Sequence, residues 1–260
     1  MDLPAILITV VAGVAMGAIN NVAGGAGVFA LWAFQYACGL PLSHANPTTR
    51  LGAVGVGLFA WLGFLKAGIK APARAWRLAM FSIPGAFAGN LLALRAPDLV
   101  FRVYLATVLI LLIARQIRAG RQQQEPDLRP ALGAPGCFLI GVHMGFAQIG
   151  TGFLAALVLL TSYSRDFVET NVAKSVVVIA ASIASLTGFV LAPLLLEGQP
   201  PVIAWGPAVC LAIGTATGSF LASKWTVNKG SLVVQRVVFV IAALALLEQL
   251  VQITLLLLSR

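Results

Sequence analysis

The sequence predicts an all-α polytopic integral membrane protein made of two inverted repeats, each opening with a broken or re-entrant Gly-rich helix. Three observations predict it: the composition, a glycine-rich break that recurs, and the distribution of Lys and Arg. Of the 260 residues, 60% are apolar and 10% are charged, whereas soluble domains carry roughly 25% charged residues. The apolar runs have about the 17–25 residues that a spanning helix needs.

The charge and the cysteines exclude several function classes. The net charge is +9, but the basic residues cluster in a few loops, as the positive-inside rule expects, so nucleic acid is not an expected partner. Cys38, Cys137 and Cys210 are isolated and form neither a zinc pattern nor a redox pair. HExxH, GxSxG and P-loop motifs are absent from the sequence. We therefore expect that the protein is not an enzyme and that it has neither a cofactor nor a metal site.

The first half opens with two apolar runs, Leu3–Ile19 and Val28–Leu42, on either side of a break at residues 20–27. As one helix, the segment 3–42 would measure about 60 Å, about twice the hydrocarbon core of a bilayer. The segment must therefore fold back, either as two crossings or as a hairpin that re-enters on one side.

A polar connector and three crossings complete this half. Pro47 suits the first turn of a helix, so Asn46 is expected to open the helix that follows. The hydrophilic stretch Arg115–Pro130 then divides the chain, giving a first repeat 1–118, a linker 119–130 and a second repeat 131–260. The predicted crossings are Leu51–Leu65, Leu78–Leu94 and Leu99–Ala114.

The second half repeats this plan at an offset of 125 residues, which pairs Gly25 with Gly150, Gly27 with Gly152, and Asn46 with Asn171. Such internal repetition decides the architecture. The two breaks, 20–27 and 145–152, are expected to face each other around a substrate. The second-half segments are Ala131–Met144, the break 145–152, Phe153–Tyr163, the connector Ser164–Lys174, and the crossings Val176–Leu196, Gly206–Ala222 and Val233–Leu258.

The positive residues orient the halves. Loop 66–77 carries four Lys or Arg, and its counterpart 190–205 carries none. If each opening segment folds back, the repeat is inverted and 13 of the 17 positive residues lie inside; a parallel repeat would split them 9 to 8. The charge bias sets orientation, so we predict an inverted repeat with both termini extracytoplasmic and 115–130 cytoplasmic.

Inverted repeats with broken helices are the plan of many secondary transporters, which bind substrate near the midplane. Glycines at half-helix ends let an anion approach backbone N–H groups, although they also permit tight helix packing. The asparagines also suit N-caps, and the two cations also suit interfacial anchors. The predicted substrate-binding residues are Asn20, Asn21, Gly24, Gly25, Gly27, Asn46, Arg50, Gln148, Gly150, Thr151, Gly152, Asn171 and Lys174.

Proton coupling is left open by the sequence. His44 and His143 are the only histidines, and a histidine carries protons in some coupled transporters. A structural role is an equal alternative for His143. No acidic residue within a predicted crossing stands out as a proton carrier.

The pattern resembles the TauE/SafE family of sulfite and organosulfonate exporters. The resemblance rests on a Gly-rich break after the first apolar run, a second after a polar linker, a length near 260 and two related halves. The family's break is commonly Gly-Gly-Gly with a proline a few residues on; here Gly24-Gly25-Ala26-Gly27 lacks that proline, and the second copy is Gly150-Thr151-Gly152.

The resemblance implies a secondary transporter that exports sulfite, sulfoacetate or another organosulfonate across the inner membrane by alternating access. Its partners would be this small anion and the lipid bilayer, with a homodimer as a further option. Three alternatives stay open: an anion channel, an uptake permease for a different small anion, and a membrane scaffold without transport.

Overall fold

The computed structural model of the chain describes residues 1–22, 26–119, 128–226 and 232–258, which form helices and the loops between them. The helices are α1 (Leu3–Val22), α2 (Val28–Trp32, continued by a π-helical turn Ala33–Ala37), α3 (Leu42–Lys66), α4 (Ala73–Met80), α5 (Ser82–Arg95), α6 (Asp98–Ala119), α7 (Gly133–Phe146, after a 3₁₀ turn Pro130–Leu132), α8 (Thr151–Ser162), α9 (Phe167–Leu195), α10 (Trp205–Thr226) and α11 (Leu232–Leu258).

Five helical segments of the described residues are long and apolar enough to cross a membrane, and further apolar helices are shorter. The predicted fold class, an all-α polytopic membrane protein, is confirmed. The repeat boundaries stay a prediction, because most of the linker 119–130 lies outside the described residues. The long segments are Leu3–Asn20, Leu42–Lys66, Ala73–Arg95, Phe167–Leu195 and Trp205–Ser223.

Each half opens with a helical hairpin. In the first, the hydroxyl of Thr9 on α1 lies 3.5 Å from the sulfur of Cys38, which follows the π-helical turn. In the second, the N–H of Arg129 donates to the carbonyl of Thr161 near the end of α8 at 2.7 Å. The fold-back that the sequence predicts is thus present in both halves.

Helices that the repeat matches exchange partners in the same way. The α1 helix packs against α10, and α7 packs against α5. Both interfaces are made by glycines: a Cβ added to Gly13 would lie 3.0 Å from the Cα of Gly214, and one added to Gly89 would lie 2.9 Å from the Cα of Gly145. Small residues let membrane helices approach this closely. The first hairpin therefore packs against the second half, and the second hairpin packs against the first half.

The remaining matched helices meet each other, α3 against α9 and α6 against α11. This exchange of partners is what two halves related by a pseudo-two-fold axis produce. Whether the halves are inverted relative to the membrane stays a prediction.

Two helix starts differ from prediction. The α3 helix begins at Leu42 and the α9 helix at Phe167, so Asn46 and Asn171 lie one turn inside their helices and do not cap them. The α9 cap is Asp166, whose carboxylate accepts from the N–H of Glu169 at 2.6 Å. The polar residues after Leu42 continue the helix because their side chains bond within it; the Thr49 hydroxyl, for example, donates to the Asn46 carbonyl at 2.6 Å.

Candidate functional site

The described parts of the two breaks meet inside the bundle. A Cβ added to Gly27 would lie 3.3 Å from Cγ1 of Ile149 and 3.4 Å from its Cα. Both Ala26 and Ile149 are buried. The tips of the two hairpins are therefore in contact, and the backbone of each is shielded from lipid, as irregular backbone at membrane depth requires.

The second break is built from two residues with positive φ. Gln148 has φ +64° and Gly150 has φ +88°, a conformation that costs most side chains about 1–2 kcal/mol. The N–H groups of Ala147 and Gln148 both donate to the carbonyl of His143 at 2.9 Å. The α8 helix then starts at Thr151, directly after Gly150.

His143 fixes this break from the side. Its Nε2 lies 2.8 Å from the carbonyl of Ile149, and its Nδ1 lies 2.7 Å from the hydroxyl of Tyr104. Since a carbonyl only accepts, Nε2 carries the proton, and Nδ1 accepts from the Tyr104 hydroxyl. Both ring nitrogens of the buried histidine are therefore used in holding the structure.

Arg50 lies in the middle of the protein with no exposed surface. It donates to the carbonyl of Gly145 at 3.0 Å and to the side-chain oxygen of Gln148 at 3.3 Å. Its Nε donates to the Ser185 hydroxyl at 3.0 Å, and further bonds reach the carbonyl of Asn46 at 3.0 Å and the Thr49 hydroxyl at 2.8 Å. The guanidinium thus binds the last turn of α7, where free carbonyls and the helix dipole favour a cation.

The asparagines that the repeat pairs both face inward. Asn46 donates from Nδ2 to the carbonyl of Phe146 at 2.9 Å and accepts from Arg50 at 3.1 Å. Asn171 donates to the carbonyl of Phe167 one turn back at 2.9 Å. Asn46 therefore supports the second break together with Arg50.

Lys174 has the corresponding role at the first break. It is 4% exposed, and its ammonium donates to the carbonyl of Asn20 in the last turn of α1 at 3.3 Å. The side-chain oxygen of Asn20 in turn accepts from the N–H of Ala26 at 3.3 Å. A cation of each half thus contacts the broken helix of the other half.

A central cavity lies between the breaks and the helices α3 and α9. Its volume is about 30 Å³, counted as the space open to the centre of a water-sized sphere. By the same measure, one water molecule needs about 10–15 Å³. None of the described residues that line it is acidic. The lining residues are Met16, Asn20, Ala53, Val56, Gly57, Ala60, Met144, Gln148, Thr151, Gly152, Lys174, Ser175 and Val178.

The predicted site residues divide into groups. Asn20, Gln148, Thr151, Gly152 and Lys174 line the central cavity. Those that do not line it are Gly27, Asn46, Arg50, Gly150, Asn171 and His143, which are buried or at the breaks, and His44, which lies half-buried near the start of α3. Gly24 and Gly25 lie outside the described residues, as does the side chain of Asn21.

Sequence reasoning missed four buried or half-buried polar residues. Ser175 lines the cavity at the position that the 125-residue offset pairs with Arg50. The Ser185 hydroxyl accepts from Nε of Arg50 and donates to the side chain of Asn90 at 2.7 Å, so both residues support Arg50. Glu248 lies inside α11. The repeat offset points to Ser175, and the position of Glu248 as the sole acid of the last apolar run points to it.

Comparison with known families gives one match. The family described as sulfite exporter TauE/SafE matches residues 9–248, nearly the whole chain. Neither the curated proteins nor the solved structures contain a match to the chain.

Proposed function

The chain belongs to the sulfite exporter TauE/SafE family, and from this membership we propose that it exports a small sulfur-containing anion across the inner (plasma) membrane by alternating access. Family membership and the apolar helices make it a multi-pass membrane transporter of sulfite or related anions. The proposal adds the direction, the site and the substrate range: sulfite, sulfoacetate or another organosulfonate.

The observation that carries the proposal is the central cavity, where Lys174 lies among groups from both breaks. The side-chain oxygens of Asn20 and Gln148 already accept from Ala26 and Arg50. Their NH₂ groups are therefore the donors left for a ligand. An ammonium and two amide N–H donors suit an oxyanion, because hydrogen bonds between charged partners are the strong ones.

The hydroxyls in the cavity act differently. Thr151 donates to the carbonyl of Gln148 at 2.5 Å, and Ser175 donates to the carbonyl of Val172 at 2.7 Å. Their protons are directed away from a ligand, so Lys174 and the amides define the polar end of the site. The start of α8 at Thr151 adds the positive end of a helix dipole.

The rest of the lining is apolar. Met16 and Met144 come from the two broken helices, and Val56 and Val178 come from α3 and α9. A sulfonate combines a charged head with a carbon chain, which matches a cavity with one polar end. Ligand sites of this kind are mostly apolar with a few placed polar groups.

The packing supports alternating access. The cavity lies where the halves meet, and α3 and α9 approach so closely that a Cβ on Gly57 would lie 2.9 Å from the backbone nitrogen of Ile179. Rocking of one half against the other would open the cavity to either side in turn, as in other repeat-built transporters.

The test is flux by the full-length protein in proteoliposomes. Labelled sulfite and a panel of small sulfonates are offered, with carboxylates of matched size as controls. Saturable flux of a sulfur anion above that of empty liposomes supports the proposal. Flux that rises linearly with concentration points to the channel alternative, and flux of the carboxylates alone overturns the substrate class.

A further inference from the structure

Among the acidic residues that the structure describes, Glu248 lies well inside a helix, whereas the others lie near a helix start or in a loop. It belongs to α11, about 15 Å from the end of that helix at Leu258, at a rise of 1.5 Å per residue. Its side chain is 17% exposed. Ionisable groups inside apolar membrane helices are rare and costly, and by default they indicate a functional site.

The carboxylate of Glu248 joins two other helices of the protein. One oxygen lies 3.8 Å from a guanidinium nitrogen of Arg102 on α6 and accepts from the Tyr36 hydroxyl at 3.0 Å. The other oxygen accepts from the side-chain amide of Gln249. Arg102 also donates to Gln249 at 3.4 Å, and its buried Nε has no hydrogen-bond partner among the described atoms. Arg102 and Tyr36 are the titratable groups that the described structure shows facing this carboxylate.

Tyr36 belongs to the same hairpin as one side of the proposed transport site. It lies in the π-helical turn Ala33–Ala37, which together with α2 forms the returning limb of the first hairpin. Single π-helical turns occur frequently at functional sites. The same hairpin ends at the first break, where Asn20 lines the central cavity and binds Lys174.

We propose that Glu248 is a proton-binding site that couples transport to a proton gradient, with Arg102 and Tyr36 as the partners that respond to its charge. The inference rests on the proposed function, because it supplies the driving ion for the same transport cycle. The ligand of this second site is a proton, and the site lies outside the central cavity.

The step involves one proton only. The Glu248 carboxylate takes a proton from water on one side of the membrane, becomes a neutral carboxylic acid, and releases the proton to the other side. In the neutral form its ion pair with Arg102 is lost, and its hydrogen bond with Tyr36 loses the charge assistance that roughly doubles its strength. The contact of α11 with α6 and with the first hairpin therefore weakens, and the hairpin is released.

The experiment compares two modes of transport by the full chain in proteoliposomes. Exchange of labelled for unlabelled substrate at equal pH does not need a coupling ion, whereas net flux under an imposed pH gradient does. A transported sulfonate is used, because its charge does not change with pH near neutrality. Glu248→Gln is compared with the parent and with Glu197→Gln, which removes an exposed loop carboxylate.

We expect Glu248→Gln to keep exchange and to lose stimulation by the gradient completely, while Glu197→Gln retains both. Stimulation in Glu248→Gln equal to that of the parent overturns the inference, as does a parent that exchanges substrate without responding to the gradient. A parent with no exchange at all is a failure of the proposed function instead.

Tyr36→Phe keeps the proposal testable if Glu248→Gln is inactive in both modes. This variant retains the ion pair and removes only the hydroxyl that ties the hairpin to Glu248. We expect normal exchange with a severalfold weaker response to the gradient. A response identical to that of the parent, together with an inactive Glu248→Gln, would assign Glu248 a structural role and overturn the inference.

Discussion

The guanidinium of Arg50 donates a hydrogen bond of 3.0 Å to the carbonyl of Gly145. A helix of the first half therefore holds the broken helix of the second half. Lys174 on α9 makes the reciprocal contact with the carbonyl of Asn20 on α1. The two cations differ in one respect: Lys174 lines the central cavity, and Arg50 does not. This difference leads to separate predictions for them.

Arg50→Met should lower stability and abolish transport. The change leaves buried acceptors at Gly145 and Gln148 without their donor, at about 1–3 kcal/mol for each, which corresponds to a fall in Tm of at least a few degrees. The measurement is thermal unfolding in detergent alongside flux.

Arg77→Met removes an exposed arginine and is the control for Arg50→Met, with little change expected. An Arg50→Met protein with the parent's Tm and only a raised KM would show that Arg50 binds the substrate directly.

Lys174→Gln should mainly weaken substrate binding. A hydrogen bond to a charged group contributes about 1.5–3 kcal/mol, so KM should rise by roughly 10–100-fold. The kinetics of sulfonate flux measure this rise. Lys70→Gln, which removes an exposed loop lysine, should leave KM unchanged. Equal KM values for the parent and Lys174→Gln would remove Lys174 from the site.

Gly150→Ala tests the second break against a matched control. Gly150 has φ +88° and Gly68 has φ +83°, so an alanine at either position pays a similar backbone strain of about 1–2 kcal/mol. At Gly150 the new Cβ would also lie 3.3 Å from Val108, whereas at Gly68 it would meet nothing within 4 Å.

Transport should therefore be lost in Gly150→Ala and kept in Gly68→Ala, as measured by flux per inserted molecule. Comparable flux in the two variants would mean that the break tolerates a side chain and does not shape the site.

The sequence is sufficient to predict the fold class, the two folded-back segments and the meeting of the described parts of the two breaks beside the central cavity. Those features follow from composition and from glycines at matched positions. The sequence wrongly predicts that Asn46 opens its helix, because a proline at position 47 suits a helix start. The helix in fact starts at Leu42, after Pro41, and the side chains that follow bond within the helix.

The inward direction of Arg50 is not predictable from the pattern around it. The residues before Arg50 in α3 are polar on several sides and those after it, Leu51–Leu65, are small or apolar on all sides, so no periodicity separates a lipid face from a core face. The pairing of Arg102 with Glu248 is likewise invisible in the sequence, because it depends on the packing of α6 against α11, which lie in different halves.

The last prediction concerns the orientation of the halves. The loop after α3 and the loop after α9 occupy matched positions in the repeat, so an inverted repeat places them on opposite sides of the membrane and a parallel repeat places them on the same side. Lys70→Cys and Glu197→Cys report on the two loops, since both residues are exposed. The background for both is a protein in which Cys38, Cys137 and Cys210 are replaced by alanine.

A membrane-impermeant maleimide added to intact cells should label Glu197→Cys and leave Lys70→Cys unlabelled until the membrane is opened. The physical reason is the charge bias, because four positive residues lie in loop 66–77 and none lies in loop 190–205. Labelling of both cysteines in intact cells would show a parallel repeat. The reverse pattern, with Lys70→Cys labelled alone, would keep the inversion and place both termini in the cytoplasm.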